Sequence, residues 1–494
     1  MATIERNLSI VNNVEYDEYA SRWATVRAFN DGEPKLKQFD LMRAGGSSNR
    51  VSFLRRINPS DTSDYNKENN IDNINGAVLF NTVVKTRSGL LGMLYRKPPA
   101  ESELPESIRY IYKNVDGSGL SMVQQSRSVS SDVVSIGRDG LLTDMPRNDE
   151  GVQITQSDVN NGFRASIQEY KAESIIDWHE SVINNVKVLD ELWLCEQITT
   201  LVPGTLNTRE IKNQYKAYRL SSSGVTVQTY TDSEDGKGLG DSEEVIVTDS
   251  SGAALTMIPF VFVGSKNNQS KVDNLPLEPI ALVNKGHYQE SANLAGSSFQ
   301  LSACQPVISD TNYSRMMNDP RNKGKVELGP NSAMVLSSEG SFALVAPPPN
   351  PLAKSIQDGY KEQMIELGAQ LIAPNGGVET AEAARLKHAS DVSDLEVISE
   401  NISSAYTKSL EHVCMFMGVE YKEEYTFKLN SEFFEVSLTA DEALKWVQTW
   451  QGGAMSKSEL DTIMVKGKAI GADVDLDLMN KNIEDNSPSV NLDE

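Results

Sequence analysis

Residues 351 to 418 carry two apolar stripes at helical spacing, separated by Ala-Pro-Asn-Gly-Gly. In the first, Leu352, Ile356, Tyr360, Met364, Leu367 and Leu371 recur at steps of three or four, which places them on one face of an α-helix. Pro374 lacks a backbone donor, Gly376 and Gly377 permit positive φ, and Thr380 with the alanines after it reads as a new helix start. The second stripe runs through Leu386, Ala389, Val392, Leu395, Ile398, Ile402, Ala405, Leu410, Val413 and Met417. At 1.5 Å per residue the rods span roughly 30 and roughly 57 Å, the second far longer than a usual globular helix. A rod, a break and a longer rod is a mechanical arrangement with no catalytic group in it.

Elsewhere the period changes along the chain. Tyr16 to Phe29 is apolar at helical spacing, whereas the asparagine-rich stretch Asp61 to Asn75 reads as loop. An apolar segment from Ala77 to Tyr95 ends at Arg96-Lys97-Pro98-Pro99, where two prolines forbid helix continuation. Residues 106 to 147 give a helix, a turn at Val115 to Gly119, a second helix and a strand around Gly140 to Asp144. Strands then follow at Leu192 to Ile198, Tyr215 to Leu220, Thr226 to Tyr230, Glu244 to Asp249 and Met257 to Val263, with Gly-, Ser- and Asp-rich turns, predicting one antiparallel meander. A helix is predicted over Leu277 to Ala303, and short strands and loops from 304 to 350. A strand pair over Glu424 to Leu438 precedes two helices opened by the capping boxes Thr439 to Glu442 and Ser456 to Glu459. The acidic tail 484 to 494 reads as disordered. The fold class is α+β.

A chain of 494 residues exceeds one core, so two to four structural units are expected. No apolar run is long enough to span a bilayer, and the N-terminus lacks the pattern of a secretory signal, so synthesis in a cytoplasm and no membrane partner are expected. The balance of 46 basic against 69 acidic residues, a net charge of −23, argues against a protein whose task is to grip nucleic acid. It leaves open a wall along which DNA slides.

Candidate chemistry is sparse. Cys195, Cys304 and Cys414 lie too far apart for a metal knuckle or a disulfide framework. His179, His287, His388 and His412 have no partner at metal-ligand spacing, so neither metal nor cofactor is expected. The glycines at 117, 119, 236, 238 and 240 miss the dinucleotide and phosphate-loop fingerprints. Nothing stands where a nucleophile and its base would, and no enzymatic activity is expected. Basic residues cluster at Arg315, Arg321, Lys323 and Lys325, and again at Lys212, Lys216 and Arg219; each group reads as a solvated face or as a contact for an acidic partner.

Several segments together resemble a family of tailed-phage portal proteins. Ser88 to Pro99 (SGLLGMLYRKPP) resembles its "GLxGxxFRKPP", Gly137 to Asp144 its "GRAGLLVD", and Tyr170 to Trp178 its "YxAExIxxW". Ile258 to Ser265 and Gln363 to Ile372 are similar to two further stretches, and Thr380 to Arg385 to the "ETAEAAR" that opens a long helix. Tyr95 and Asp139 depart from the pattern, at a usual Phe and a usual small residue.

The resemblance implies a non-enzymatic, ring-forming portal of a short-tailed bacteriophage, a dodecamer at one capsid vertex through which DNA is packaged and ejected. It implies N-terminal helices and wing over 1–276, stem helices over 277–303 and 351–372, and a clip over 304–350. It further implies a tunnel loop over 373–379, a long wing helix over 380–420 and a crown over 421–483. Asn375, Gly376, Gly377, Val378 and Thr380 would then face DNA, and Arg315, Arg321, Lys323 and Lys325 would sit in the clip. The implied partners are further copies of the chain, double-stranded DNA passing non-specifically, the terminase large subunit, a tail adaptor, and the major capsid and scaffolding proteins. The expected location is the virion, after assembly in a host bacterial cytoplasm. Another virion structural protein, of tail or baseplate, and a cytoplasmic hydrolase are the alternatives.

Overall fold

The structure, a computed structural model, describes residues 11–44, 52–146, 163–202, 204–232, 239–241, 244–302, 305–309, 340–345, 351–368, 381–431 and 440–466, with the single residues 314 and 433. The chain divides into two compact units, Met1–Leu429 and Asn430–Glu494.

The first unit begins with α1 (Val14–Asp31), capped by the Asn13 side chain accepting from the Glu15 amide, and α2 (Glu33–Ala44). The segment expected as loop between 61 and 75 holds instead α3 (Asp64–Gly76). Ser63 caps it by accepting from the Asn66 amide. Asn66 and Asn70 donate their side-chain amides to the carbonyls of Asn58, Asp61 and Ile57. The asparagines that argue against a helix thus tie the preceding turn onto it. After α4 (Thr82–Leu94) the double proline leads into β1 (Ala100–Glu101). The helix expected after residue 106 is only a short 3₁₀ turn, Arg109–Tyr112.

Helix α5 (Met122–Ile136) opens with a capping box in which Ser121 and Gln124 bond reciprocally. It closes at Gly137, whose φ of 80° is left-handed and whose missing Cβ would sit 2.6 Å from the Asn274 carbonyl oxygen. The chain continues as β2 (Arg138–Asp144), β3 (Ser166–Lys171), β4 (Ile175–Ile183), β5 (Val186–Leu201), β6 (Arg209–Ser221), β7 (Gly224–Asp232), β8 (Leu239–Asp241), β9 (Val245–Ile246) and β10 (Phe260–Gly264).

These strands form two sheets, not the single meander that strand spacing predicts. One is the antiparallel run β4-β5-β6-β7-β8, with β9 also paired to β7; the other is three-stranded, β10-β2-β3. In the latter Val261 faces Leu141 and Leu142 faces Gln168. The reason is apolar density: β2 is buried along nearly its whole length, and Phe260, Phe262 and Val263 of β10 are buried too. Strands of that kind need cover on both faces.

Helix α6 (Glu278–Ser302) follows, then the paired strands β11 (Gln305–Ser309) and β12 (Ser341–Val345), helix α7 (Pro351–Glu366) and the long helix α8 (Ala381–Met417). Last in this unit, β13 (Phe427–Lys428) pairs with β1, so the strand expected near 424 joins the segment after the double proline. In the second unit α9 (Ala440–Gln451) packs on α10 (Lys457–Lys466), whose Ser456–Glu459 capping box is formed. Thr439 of the other expected capping box and the tail 484 to 494 lie outside the described residues.

Candidate functional site: the paired helices and the long helix

Helices α6 and α7, about 38 and about 24 Å long at 1.5 Å per residue, pack side by side. They run antiparallel: Gly286 lies against Tyr360, and Ile280 lies near Gly368. Gly286 is the close-approach point, since a Cβ there would stand 2.7 Å from Tyr360 Cζ. Ala353 and Met364 of α7 are buried. His287 of α6 is buried against Phe80, with ring centroids 5.6 Å apart. Desolvation, helped by the charge of Lys361, lowers its pKa.

The expected stripe on α7 is only partly the buried one. Met364 is enclosed, but Leu352 is 64% exposed, Ile356 36% and Leu367, just past the helix, 44%. Leu371 lies outside the described residues.

Helix α8 spans about 55 Å. From Leu395 to Val413 its stripe is buried and Met417 is half-buried: Leu395, Ile398, Ile402, Ala405, Leu410 and Val413, joined by Tyr406 and Phe416, pack over α5, β2 and β10. Polar ties fix its register. The Asn401 side-chain amide donates to the Gly264 carbonyl at 2.9 Å, the Asn268 amide donates back to the Asn401 carbonyl at 2.8 Å, and the Tyr406 hydroxyl donates to Gln125 at 3.1 Å. His412 is buried on the same helix, and desolvation, with a smaller contribution from Lys408, lowers its pKa to about 4.

The segment 369–380, between α7 and α8, contains Asn375, Gly376, Gly377, Val378 and Thr380, and all five lie outside the described residues. So do Arg315, Arg321, Lys323 and Lys325, in the insertion whose base is the β11–β12 pair. The other basic group is on the page: Lys212 pairs with Glu210 at 2.7 Å, Lys216 with Glu196 at 2.8 Å and Arg219 with Glu191 at 3.0 Å. Lys212 and Lys216 lie on one face of the sheet and Arg219 on the other, so the three make separate ion pairs and do not form one basic patch. No described helix is long and apolar enough to cross a membrane.

Spacing along the sequence misses a second constellation. Arg27 of α1 donates to both oxygens of Asp132 on α5, at 2.6 and 2.9 Å, and to both oxygens of Glu173, at 2.7 and 2.9 Å. Asp132 also lies beside Asp139 of β2 and Glu169 of β3, one carboxylate oxygen from each falling within 4.8 Å of the others. Burial, then the neighbouring carboxylates, raises the pKa of Asp139 well above the usual range. Next to it Arg138 is buried between the rings of Trp178 and Phe262, 4.2 and 4.5 Å from their centroids, and burial lowers its pKa to about 9.

Residues 276–417, which run from the start of α6 to the end of α8, match a family described as a domain of unknown function (DUF4055). No curated protein matches the chain. Among solved structures, the chain is similar to one from the neck of an empty GTA particle computed with C6 symmetry, at 11% identity and a TM-score of 0.35, over 78% of this chain and 90% of that one. It is also similar to an HK97 family phage portal protein from Corynebacterium diphtheriae, at 10% identity and a TM-score of 0.28, over 71% of this chain and 92% of that one.

Proposed function

We propose that the chain is the portal protein of a short-tailed bacteriophage, a head-to-tail connector that assembles as a ring of twelve at the capsid vertex and conducts DNA. In this reading α6 and α7 are the stem, α8 is the long wing helix, and 369–380 holds the tunnel loop. The insertion between β11 and β12 is the clip that meets the terminase large subunit and then the tail adaptor.

The observation that carries the reading is the order of these parts. An antiparallel helix pair has a two-stranded base at one end, and at the other a segment with Pro374, Gly376 and Gly377 that leads into a helix of about 55 Å. Of the stretches resembling portal sequences, Gln363 to Ile372 and Thr380 to Arg385 belong to these parts, and the other four lie on α4, β2, β3 to β4 and β10. Physical chemistry supports the role as well. A channel for DNA of any sequence must touch phosphates weakly, and a chain of net charge −23 with a neutral Asn-Gly-Gly stretch at its break meets that need.

The test is the mass and image of the purified particle. Stalked rings with a central hole, near twelve times 54.3 kDa or about 650 kDa, are expected. Small particles without a hole would remove the proposal. Replacing Gly376 and Gly377 with proline should leave rings intact and reduce DNA packaging; full heads from that variant would sink the assignment of the loop.

A further inference from the structure

We propose that Asp132, Asp139 and Glu169 bind a hard divalent cation, calcium or magnesium, between α5 and the three-stranded sheet. The site follows from the pairing of β2 with β3. Asp139 is opposite Lys171, and Leu141 is opposite Glu169, so Asp139 and Glu169 share one face of the sheet as diagonal neighbours. Helix α5 supplies Asp132 to the same spot, and one oxygen from each of the three lies within 4.8 Å of the others. Oxygens held at about 2.4 Å around one ion are separated by at most about 4.8 Å, so the spacing is that of a ligand set.

A cluster of carboxylates alone would not carry this, but Asp139 adds a separate fact. Its residue is 0% exposed, its Oδ1 accepts from the Gly140 amide, and its Oδ2 is buried without a hydrogen-bond partner. A lone pair so placed is costly unless something positive faces it. The charges nearby point the same way. With all four ionised, the carboxylates of Asp132, Asp139, Glu169 and Glu173 exceed the nearby cations Arg27 and Lys171 by two charges, which one divalent ion would balance in place of bound protons. Arg27 gives four of its five N–H groups to Asp132 and Glu173, and Glu169 takes one bond from Ser128. Donors made only of carboxylate oxygen, with no imidazole or thiolate among them, suit hard ions such as calcium and magnesium. Entry is provided at Glu169, which with Glu173 lines an open cavity of about 780 Å³. Since the ion lies within one subunit, the proposal stands or falls separately from ring formation.

The test uses the full chain stripped with EDTA. Calcium or magnesium at a hundredfold its dissociation constant should raise the melting temperature of the wild type by about 3 °C or more. Asp139→Asn, nearly identical in shape, should melt in EDTA no lower than the wild type and show no rise with either ion. Terbium, as a calcium substitute excited through nearby Tyr406, should luminesce in the wild type and at least tenfold less in Asp139→Asn. Glu169→Gln serves if Asp139→Asn does not fold. Equal responses of wild type and variant, or no response of the wild type to either ion, would overturn the site; in the second case Asp139 holds a proton instead.

Discussion

Helix α7 and the Leu395–Met417 half of α8 are written with the same apolar stripe, yet they end in opposite states. The α8 stripe is closed off by its own chain, against α5, β2 and β10. That of α7 is half open, with Leu352 64% and Ile356 36% exposed while Ala353, one residue round the helix, is buried. A stripe therefore identifies the apolar face of a helix without saying whose surface covers it. On α8 the covering surface is internal, and the helix is a strut fixed along its length. On α7 the described cover comes mainly from α6, with Lys361 also lying over Phe80, and the proposed ring would supply a neighbouring subunit for the open side.

The comparison is broken most forcefully at the closed end. Tyr406 is 0% exposed, packs on Phe427 with ring centroids 5.1 Å apart, and donates to Gln125. Tyr406→Ala should cost about 4 kcal/mol, from the cavity and from the stranded Gln125 Oε1, read from urea unfolding of the subunit. A loss under 1 kcal/mol would mean that α8 is not the strut described.

His412 gives the next largest effect. Its folded pKa of about 4 lies below the ordinary 6.5, so the unfolded chain binds the extra proton more tightly. The stability this contributes is complete above pH 6.5, falls as pH drops toward 4, and is flat below; the full span is about 3 kcal/mol. His412→Gln should flatten the wild-type slope of unfolding free energy between pH 6.5 and 4.5. An unchanged slope would show that His412 is not held neutral by burial.

On the α6–α7 side, Gly286→Val places a Cβ 2.7 Å from Tyr360 Cζ and should cost about 2 kcal/mol. Adding Tyr360→Leu should recover part of that loss, since the two positions share one contact. Additive losses would mean that the helices do not meet there.

Local pattern reached some parts of this molecule and missed others, for identifiable reasons. The long helix expected from Thr380 to Gly418 is found over Ala381–Met417, and the one expected from Leu277 to Ala303 over Glu278–Ser302, because stripes of that length outweigh any single residue. Helix α3 escapes local pattern because its asparagines bond to a turn eight and thirteen residues back, which no propensity encodes. Strand β10 reads locally as part of the neighbouring meander because its pairing with β2, more than a hundred residues earlier, leaves no local period. The carboxylate cluster was invisible for the same reason: Asp132, Asp139 and Glu169 come from a helix and two strands, at spacings that match no metal motif. Only Asp139, an acid where the resembled pattern carries a small residue, gave a hint.

The smallest effect on the chain itself carries the sharpest form of the comparison. Leu352 of α7 is 64% exposed, so replacing it with serine removes little burial within the subunit. Unfolding of the subunit should change by no more than about 1 kcal/mol. If a neighbouring subunit covers this side chain, the same substitution removes apolar contact at every interface of the ring at once. The expected result is a near-normal unfolding curve together with a shift of the purified particle from the ring mass toward the single subunit, measured on one sample by light scattering. A strongly destabilised subunit would place Leu352 in its own core. Intact rings from a stable subunit would show that the open stripe of α7 is not a seam between copies.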